Sequence, residues 1–246
     1  MRETEAVFKV PLFVEVIGEP STGKTHLSCL FPKPALLDTT SKGEAYVILK
    51  KLYPTEWRKR YFRVKNFDDI STNLKYVSAN KDFFRTVVVD TAADLRGLAI
   101  NKCLEELKKV KPERERLMPE EYSCVNEKVN AFIDKVTDPN GEFCMNLVFT
   151  AQMKDEWVKR ESTGRRIRDG HPKANFQCDL RFYLQLKQKV DPKTMQYINE
   201  YERTCQILKC RFRNQADKVD WVLELKELTW EEIKKLTKLA EGEIVE

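Results

Sequence analysis

The chain has 246 residues, 41% hydrophobic and 34% charged, which is enough to bury a large core without a disulfide or a metal ion. No apolar run reaches the roughly 18 residues of a membrane-spanning helix, and residues 1–5 lack a signal-peptide pattern, so we expect a cytoplasmic protein with no membrane partner. The net charge of +5 permits nucleic-acid binding without arguing for it, and the 7 scattered cysteines predict reduced, buried thiols.

Strand and helix patterns alternate as far as residue 150. Short apolar runs predict strands at 12–17, 35–38, 60–64, 86–90 and 143–150. Helices are predicted at 24–30, 41–49, 68–78, 95–107 and 122–136, the second of them from a capping box at Ser41 and Glu44. The consecutive valines at 87–89 suit a parallel strand covered on both faces. Repeated strand–helix units of this kind imply a parallel sheet with helical crossovers.

The pattern changes after residue 150. The stretch 154–175 is polar and basic without an apolar period, which predicts a loop or a loose hairpin. Strands are predicted at 180–190 and 202–212 around a turn at 191–193, so we expect the sheet to continue with antiparallel members. A last helix is predicted at 229–241 from a second capping box. The simplest organisation is one α/β domain over residues 1–246, with a core at about 10–225.

A motif of the form Gly-x-x-x-x-Gly-Lys-Thr lies between the first predicted strand and the first predicted helix. Its two glycines allow the loop to wrap a polyphosphate with the backbone N–H groups pointing inward. Lys24 is then expected to reach the β- and γ-phosphates, and the Thr25 hydroxyl to coordinate Mg²⁺. The alternative is a chance match in a glycine-containing turn. The residues expected to bind ATP, or a similar nucleotide, are Gly18, Glu19, Pro20, Ser21, Thr22, Gly23, Lys24, Thr25 and His26.

Asp90 ends the valine-rich strand, at the carboxyl edge of the sheet where ligands of open α/β sheets bind. We expect its carboxylate to hold the magnesium ion together with Thr25. In the alternative interpretation Asp90 only caps the helix that follows it.

With these motifs the chain resembles the RecA-like P-loop ATPases. Within them it is most similar to small single-domain phage and archaeal proteins that share RecA/RadA core motifs and assist recombination or single-strand annealing. The resemblance covers most of residues 10–225 and implies a three-layer α/β fold whose mainly parallel sheet is extended by antiparallel strands. It also implies ATP and Mg²⁺ as cofactors, a homo-oligomer assembled head to tail, and action on single-stranded DNA in recombination, annealing or replication.

The same resemblance assigns catalytic roles beyond Lys24. Gln152 follows an apolar strand and is similar to the polar sensor that reports the γ-phosphate to the DNA-binding loop. Lys209 and Arg211 resemble the Lys-x-Arg finger that reaches the nucleotide of the neighbouring subunit. Because they are two residues apart on a strand, their side chains lie on the same face, so in the alternative interpretation they are charges that face solvent.

The chain departs from the family pattern after its second strand. Thr40 stands where RecA-like proteins usually carry the glutamate that activates water, and a hydroxyl is a poor base at neutral pH. Glu44, placed one helical turn further on, or Asp38 itself would have to substitute. We therefore expect slow hydrolysis.

The basic stretch 154–173 occupies the place of the DNA-binding loop in this resemblance. Trp157 and His171 add planar groups for stacking on bases, a combination that suits sequence-tolerant binding of single strands. The alternative is a solvated surface loop. The residues expected to bind nucleic acid are Lys154, Trp157, Lys159, Arg160, Arg165, Arg166, Arg168 and Lys173.

Two other functions stay open. A small-molecule or nucleotide kinase shares the P-loop, and the arginines at 165, 166 and 168 would then form its lid. A nucleotide-gated scaffold protein that barely hydrolyses ATP is suggested by Thr40.

Overall fold

A computed structural model of the chain describes residues 10–158, 161–191, 193–212, 222–224 and 229–237. Within these ranges nine strands form one sheet. The strands are β1 (Phe13–Gly18), β2 (Pro34–Asp38), β3 (Tyr61–Arg63), β4 (Thr86–Asp90), β5 (Asn146–Val158), β6 (Glu161–Asp169), β7 (Leu180–Val190), β8 (Tyr197–Cys210) and β9 (Val222–Glu224).

The order of the strands is β3-β2-β4-β5-β1-β7-β8-β9, with β6 paired to the far end of β5. The pairs from β3 across to β7 are parallel, whereas β6, β8 and β9 join antiparallel. This arrangement confirms the predicted parallel sheet with antiparallel additions. It also brings the carboxyl ends of β1, β2, β4 and β5 to one edge.

Helices cover both faces of the sheet. In the described ranges they are α1 (Lys24–Ser28), α2 (Tyr46–Leu52), α3 (Trp57–Arg60), α4 (Phe67–Ala79), α5 (Ala92–Lys108), α6 (Tyr122–Thr137), α7 (Pro172–Gln177) and α8 (Trp230–Thr237), with a 3-10 turn at Pro119–Glu121. None of the helices in the described ranges combines the length and the apolar composition that crossing a membrane requires.

The alternating side chains of β4 show how the layers pack. Val87 and Val89 belong to the hydrophobic cluster that also contains the apolar stripes of α4, α5 and α6. Val88 points to the other face, into a cluster with Leu27 of α1 and Ile233 of α8. All the valines of β4 are fully buried, as the run of valines predicts. The three-layer prediction is confirmed.

Two hairpins project beyond the edge of the sheet at which β1 ends. Gly18 lies level with Gln152 of β5 on one side and with Leu184 of β7 on the other. β5 continues from Gln152 to Val158 and β7 from Leu184 to Val190, which is about 20 Å in each case. We call residues 153–168 the β5–β6 arm and residues 185–204 the β7–β8 arm. The sequence predicted only a loop or loose hairpin for the first of them.

Local predictions were wrong in two places. The helix predicted from Ser41 begins only at Tyr46, without a side-chain cap, and Glu44 lies exposed in the segment before it. The prediction of reduced thiols fails for Cys103 and Cys124, which form a disulfide between α5 and α6. Packing of these two helices brings their Cα atoms to 6.4 Å, a proximity that sequence spacing does not reveal.

Candidate nucleotide-binding site

The loop between β1 and α1 needs glycine at both of its ends. A Cβ atom on Gly18 would lie 2.5 Å from the carbonyl oxygen of Leu184, because β7 passes directly beside it. Gly23 has a φ of 101°, in the left-handed region that other residues avoid. The glycines therefore fix a close backbone approach and a sharp turn, as a phosphate-wrapping loop requires.

The ammonium group of Lys24 lies inside this loop. Its Nζ donates to the carbonyl oxygens of Gly18, at 3.0 Å, and of Glu19, at 2.7 Å. Burial lowers the pKa of Lys24, while the nearby carboxylates of Asp90 and Glu19 oppose that shift. Lys24 thus places a largely buried cation at the centre of the loop.

Thr25 and Asp90 meet at the edge of the sheet. The Thr25 hydroxyl donates to Asp90 Oδ2 at 2.7 Å, and the Thr150 hydroxyl donates to Asp90 Oδ1. Burial raises the pKa of Asp90, whereas the hydrogen bonds from Thr150 and Thr25 oppose the rise. A hydroxyl and a carboxylate in contact are oxygen ligands of the kind that Mg²⁺ prefers, so the residues fit the ion. The cap of α5 is Thr91, whose side chain accepts from the backbone of Asp94, so Asp90 is not the capping residue.

The carboxylate of Asp38 lies beside Asp90 but is fully occupied. Its Oδ1 accepts from the backbone and the hydroxyl of Thr40, and its Oδ2 from the backbone of Ala45 and the hydroxyl of Tyr61. A carboxylate offers about four acceptor positions, and all are used here. Asp38 is therefore poorly suited to accept a proton from water, which leaves Glu44 as the candidate base from the predicted pair.

A cavity of about 790 Å³ opens beside the phosphate-binding loop. Its walls come from that loop, from α2 and from the β7–β8 arm. The lining includes Ser21, Gly23, Lys24, Thr25 and His26 of the loop and α1, Ile48 and Lys51 of α2, and Lys189, Tyr201, Glu202 and Arg203 of the arm. The sequence did not single out the residues of α2 and of the arm, because the register of β7 and β8 decides which of their side chains face α1.

The predicted sensor and finger residues lie in different places. Gln152 is exposed beside Gly18, next to the phosphate-binding loop, but β5 continues past it instead of ending there. Lys209 and Arg211 lie near the start of β7, which is the opposite end of the strands from that loop. There Lys209 donates to the carbonyl oxygen of Phe176, and Arg211 forms an ion pair with Asp179 at 2.9 Å.

Carboxylates of the same chain contact most of the predicted nucleic-acid-binding cations. Lys154 pairs with Asp169, Arg166 with Glu19 and Asp155, Arg168 with Glu15, and Lys173 with Asp134. Arg165 is exposed. Lys159, Arg160 and the side chain of Trp157 lie outside the described residues.

The prediction that His171 stacks on bases is wrong. The residue is only 2% exposed, and its Nε2 is 2.8 Å from Asn130 Oδ1. Burial, reinforced by Arg96, Arg168 and Lys173, lowers the pKa of His171 to about 4. His171 is therefore a neutral residue of the core.

The glycine loop, Lys24, and the Thr25–Asp90 pair at the carboxyl edge of a parallel sheet define a P-loop nucleotide-binding domain. Residues 11–211 match the family described as "AAA domain", and the chain belongs to that family. The prediction of a RecA-like P-loop ATPase is confirmed by this match together with the strand order.

No curated protein matches the chain. Among solved structures, a KaiC-like protein from the hyperthermophilic archaeon Pyrococcus horikoshii OT3 matches 84% of this chain and 88% of its own, with 15% identity and a TM-score of 0.47.

Proposed function

We propose that this protein is a Mg²⁺-dependent ATPase that acts on single-stranded DNA. The observation that carries the ATPase part is the convergence of Lys24, Thr25 and Asp90 on one loop at the edge of the sheet. When a nucleotide binds, Lys24 supplies positive charge to its β- and γ-phosphates. Thr25 and Asp90 would hold the metal ion, which neutralises charge on the phosphates during transfer.

Slow hydrolysis is part of this proposal. Thr40 is no base, and the acceptor positions of Asp38 are already filled by hydrogen bonds. Glu44, exposed before α2, is the remaining carboxylate that we propose as the activator of water. Gln152 is proposed as the sensor of the γ-phosphate on the strength of its position beside Gly18.

The DNA part of the proposal is supported by the position of the β5–β6 arm. The arm begins directly after Gln152, presents exposed Arg165, and touches the P-loop through the Arg166–Glu19 ion pair of 3.0 Å. We further propose a head-to-tail homo-oligomer in which Lys209 and Arg211 approach the nucleotide of the adjacent subunit. Their location at the end of the sheet remote from the P-loop is what such an assembly needs.

The test is ATP hydrolysis by the full chain, measured with and without single-stranded DNA and Mg²⁺. We expect slow hydrolysis that needs Mg²⁺ and whose rate increases when DNA is added. The rate should fall about 100-fold in Lys24→Ala, because the positive charge that contacts the phosphates is removed. Lys108→Ala, at the exposed end of α5, is the matched control and is expected to behave as the unmodified chain. Size-exclusion chromatography with nucleotide checks the assembly.

Each part of the proposal has its own contrary result. If Lys24→Ala hydrolyses ATP as fast as Lys108→Ala, the ATPase assignment is wrong. If single-stranded DNA changes neither the rate of ATP hydrolysis nor the size of the oligomer, the nucleic-acid part is wrong while the ATPase part stands.

A second candidate is a nucleotide-gated protein that binds ATP but barely turns it over. The filled acceptor positions of Asp38 favour it. Tight ATP binding with turnover no faster than that of Lys24→Ala would establish it. The kinase alternative gains no such support, because Arg166 and Arg168 are held in ion pairs within the arm and with the core.

A further inference from the structure

Three cations outside the P-loop motif line the nucleotide cavity, and one of them, Lys189, pairs with Glu200. Lys51 comes from α2 and Arg203 from the β7–β8 arm, and both line the cavity beside His26. Both residues are exposed, and neither has an ion-pair partner in the described part of the chain. Like charges that converge on one space repel each other, so this arrangement favours an anion between them.

The order of the strands indicates which end of a nucleotide these cations would meet. β1 lies between β5 and β7. Asp90, at the end of β4, marks the metal end of the site on the β5 side. The β7–β8 arm lies on the other side of β1. A triphosphate held by Lys24, with its metal ion held by Asp90, would therefore have Lys51 and Arg203 near its other end.

The register of β8 places Arg203 on the correct face. Cys205 is buried in the cluster that also contains Leu184 and Leu27 of α1. Arg203 precedes Cys205 by two positions, so its side chain leaves the strand on the same face, over α1.

The remaining charges of the cavity do not cancel this positive potential. Lys189 also lines the cavity and pairs with Glu200 at 3.3 Å. Glu202 is the acidic residue in the lining, and it stands opposite Lys187 across the hairpin. Lys24, Lys51 and Arg203 thus face the cavity with Glu202 as the opposing charge.

We propose that Lys51 and Arg203 form a second phosphate-binding pair, which the chain supplies to its own nucleotide and which binds the phosphate nearest the nucleoside. This inference rests on the proposed ATP binding at the P-loop. It differs from a finger supplied by a neighbouring subunit, because the β7–β8 arm and the P-loop belong to one chain and share one cavity.

The test measures the affinity of the full chain for ATP and for inorganic tripolyphosphate by titration calorimetry. The Arg203→Ala and Lys51→Ala variants should each bind both ligands about 10-fold more weakly, since a charge-assisted hydrogen bond is lost. Arg203→Lys should recover part of the loss. The matched control is Lys193→Ala, which removes an exposed cation from the turn of the same arm, outside the lining of the cavity. It should stay within about twofold of the unmodified chain.

The outcomes separate this inference from the proposed function. If Lys24→Ala loses ATP while Arg203→Ala binds like Lys193→Ala, the second phosphate pair is wrong and the ATPase proposal stands. If Arg203→Ala weakens ATP but not tripolyphosphate, the guanidinium contacts the nucleoside and the phosphate assignment is overturned. If the unmodified chain binds neither ligand, the proposed function itself fails.

A mixing experiment tests whether Arg203 acts within its own chain. Lys24→Ala keeps Arg203 and Arg203→Ala keeps the P-loop, so an equimolar mixture would rebuild complete sites only if Arg203 served a neighbour. We expect ATP affinity in the mixture to equal the average of the two variants. Recovery toward the affinity of the unmodified chain would overturn the assignment to the same chain.

Discussion

The two arms that flank the P-loop have similar length but use their charges differently. Along the β5–β6 arm the cations Lys154, Arg166 and Arg168 are each held by a carboxylate of the same chain. Along the β7–β8 arm Arg203 has no such partner in the described ranges and faces a cavity shared with the P-loop. In the described part of the β5–β6 arm, most of the cations are thus already paired within the chain, whereas Arg203 of the other arm faces the cavity.

This difference shows that a count of basic residues does not locate a binding surface. The ion pairs of the β5–β6 arm serve first to fix the arm against β1 and the P-loop. A ligand that binds there must compete with carboxylates already in place, whereas a ligand in the cavity beside the β7–β8 arm meets Arg203 and Lys51 directly.

The largest effect is expected where the β5–β6 arm meets the core. Glu15 is fully buried and binds both Arg168 and Arg181, the latter at 2.7 Å. Glu15→Gln would leave two largely buried guanidinium groups without their counter-charge, so we expect the free energy of unfolding to fall by about 3–5 kcal/mol. Chemical denaturation measures it. Glu161→Gln, at the exposed start of β6, should change it by less than about 0.5 kcal/mol. Equal losses in the two variants would show that the buried ion pairs contribute nothing.

The second effect is a pH dependence of stability that arises from His171, which lies where the β5–β6 arm joins the core. The pKa of His171 is about 4 in the folded chain against 6.5 for an ordinary histidine, so between these values the unfolded chain binds the proton more readily. The contribution of the neutral ring is complete above about pH 6.5 and decreases as pH falls, by about 2 kcal/mol at pH 5.

His171→Gln should remove that part of the pH dependence, measured as the difference in unfolding free energy between pH 7.5 and pH 5. His26→Gln, a substitution of the half-buried histidine beside the P-loop, should retain it. A chain whose stability changes equally with pH before and after His171→Gln would contradict the buried, neutral state of the ring.

The smallest effect distinguishes paired from unpaired cations on the β5–β6 arm. Each phosphate that the protein neutralises on a single strand increases the steepness of log affinity against log salt concentration by about 0.7. Arg165→Ala should lower that slope by about this amount, measured by fluorescence anisotropy with a labelled oligonucleotide. Arg166→Ala should lower it less, because Arg166 already has Glu19 and Asp155 as counter-charges. Arg203→Ala should leave the slope unchanged, and a larger effect from Arg203 than from Arg165 would reverse the roles of the two arms.

Most of the fold could be predicted from local patterns. The run at 86–90 gave β4 at its observed bounds, and the stripe at 122–136 gave α6 to within a residue. Both segments contain many apolar residues, because the elements they form are buried over much of their surface. The β5–β6 hairpin was not recognised as a regular ladder, since both its faces are polar and no apolar alternation marks it.

The site could be predicted only as far as its motif extends. The P-loop and Asp90 are set by short-range sequence and by the end of a strand. The partner of Arg168 depends on long-range packing, because Glu15 lies 153 positions away from it. Arg203 was missed because the sequence alone does not show which face of β8 carries it. The register with β7 decides that.

The hydrogen bonds of Lys24 have a consequence for how the P-loop responds to its ligand. An ammonium group has three protons, and two of them are given to the main chain at Gly18 and Glu19. A phosphate that takes over these protons also releases two carbonyl groups of the loop. Glu19 is one of them, and its side chain holds Arg166. Occupation of the loop and the anchoring of the neighbouring hairpin therefore depend on the same residue, Glu19.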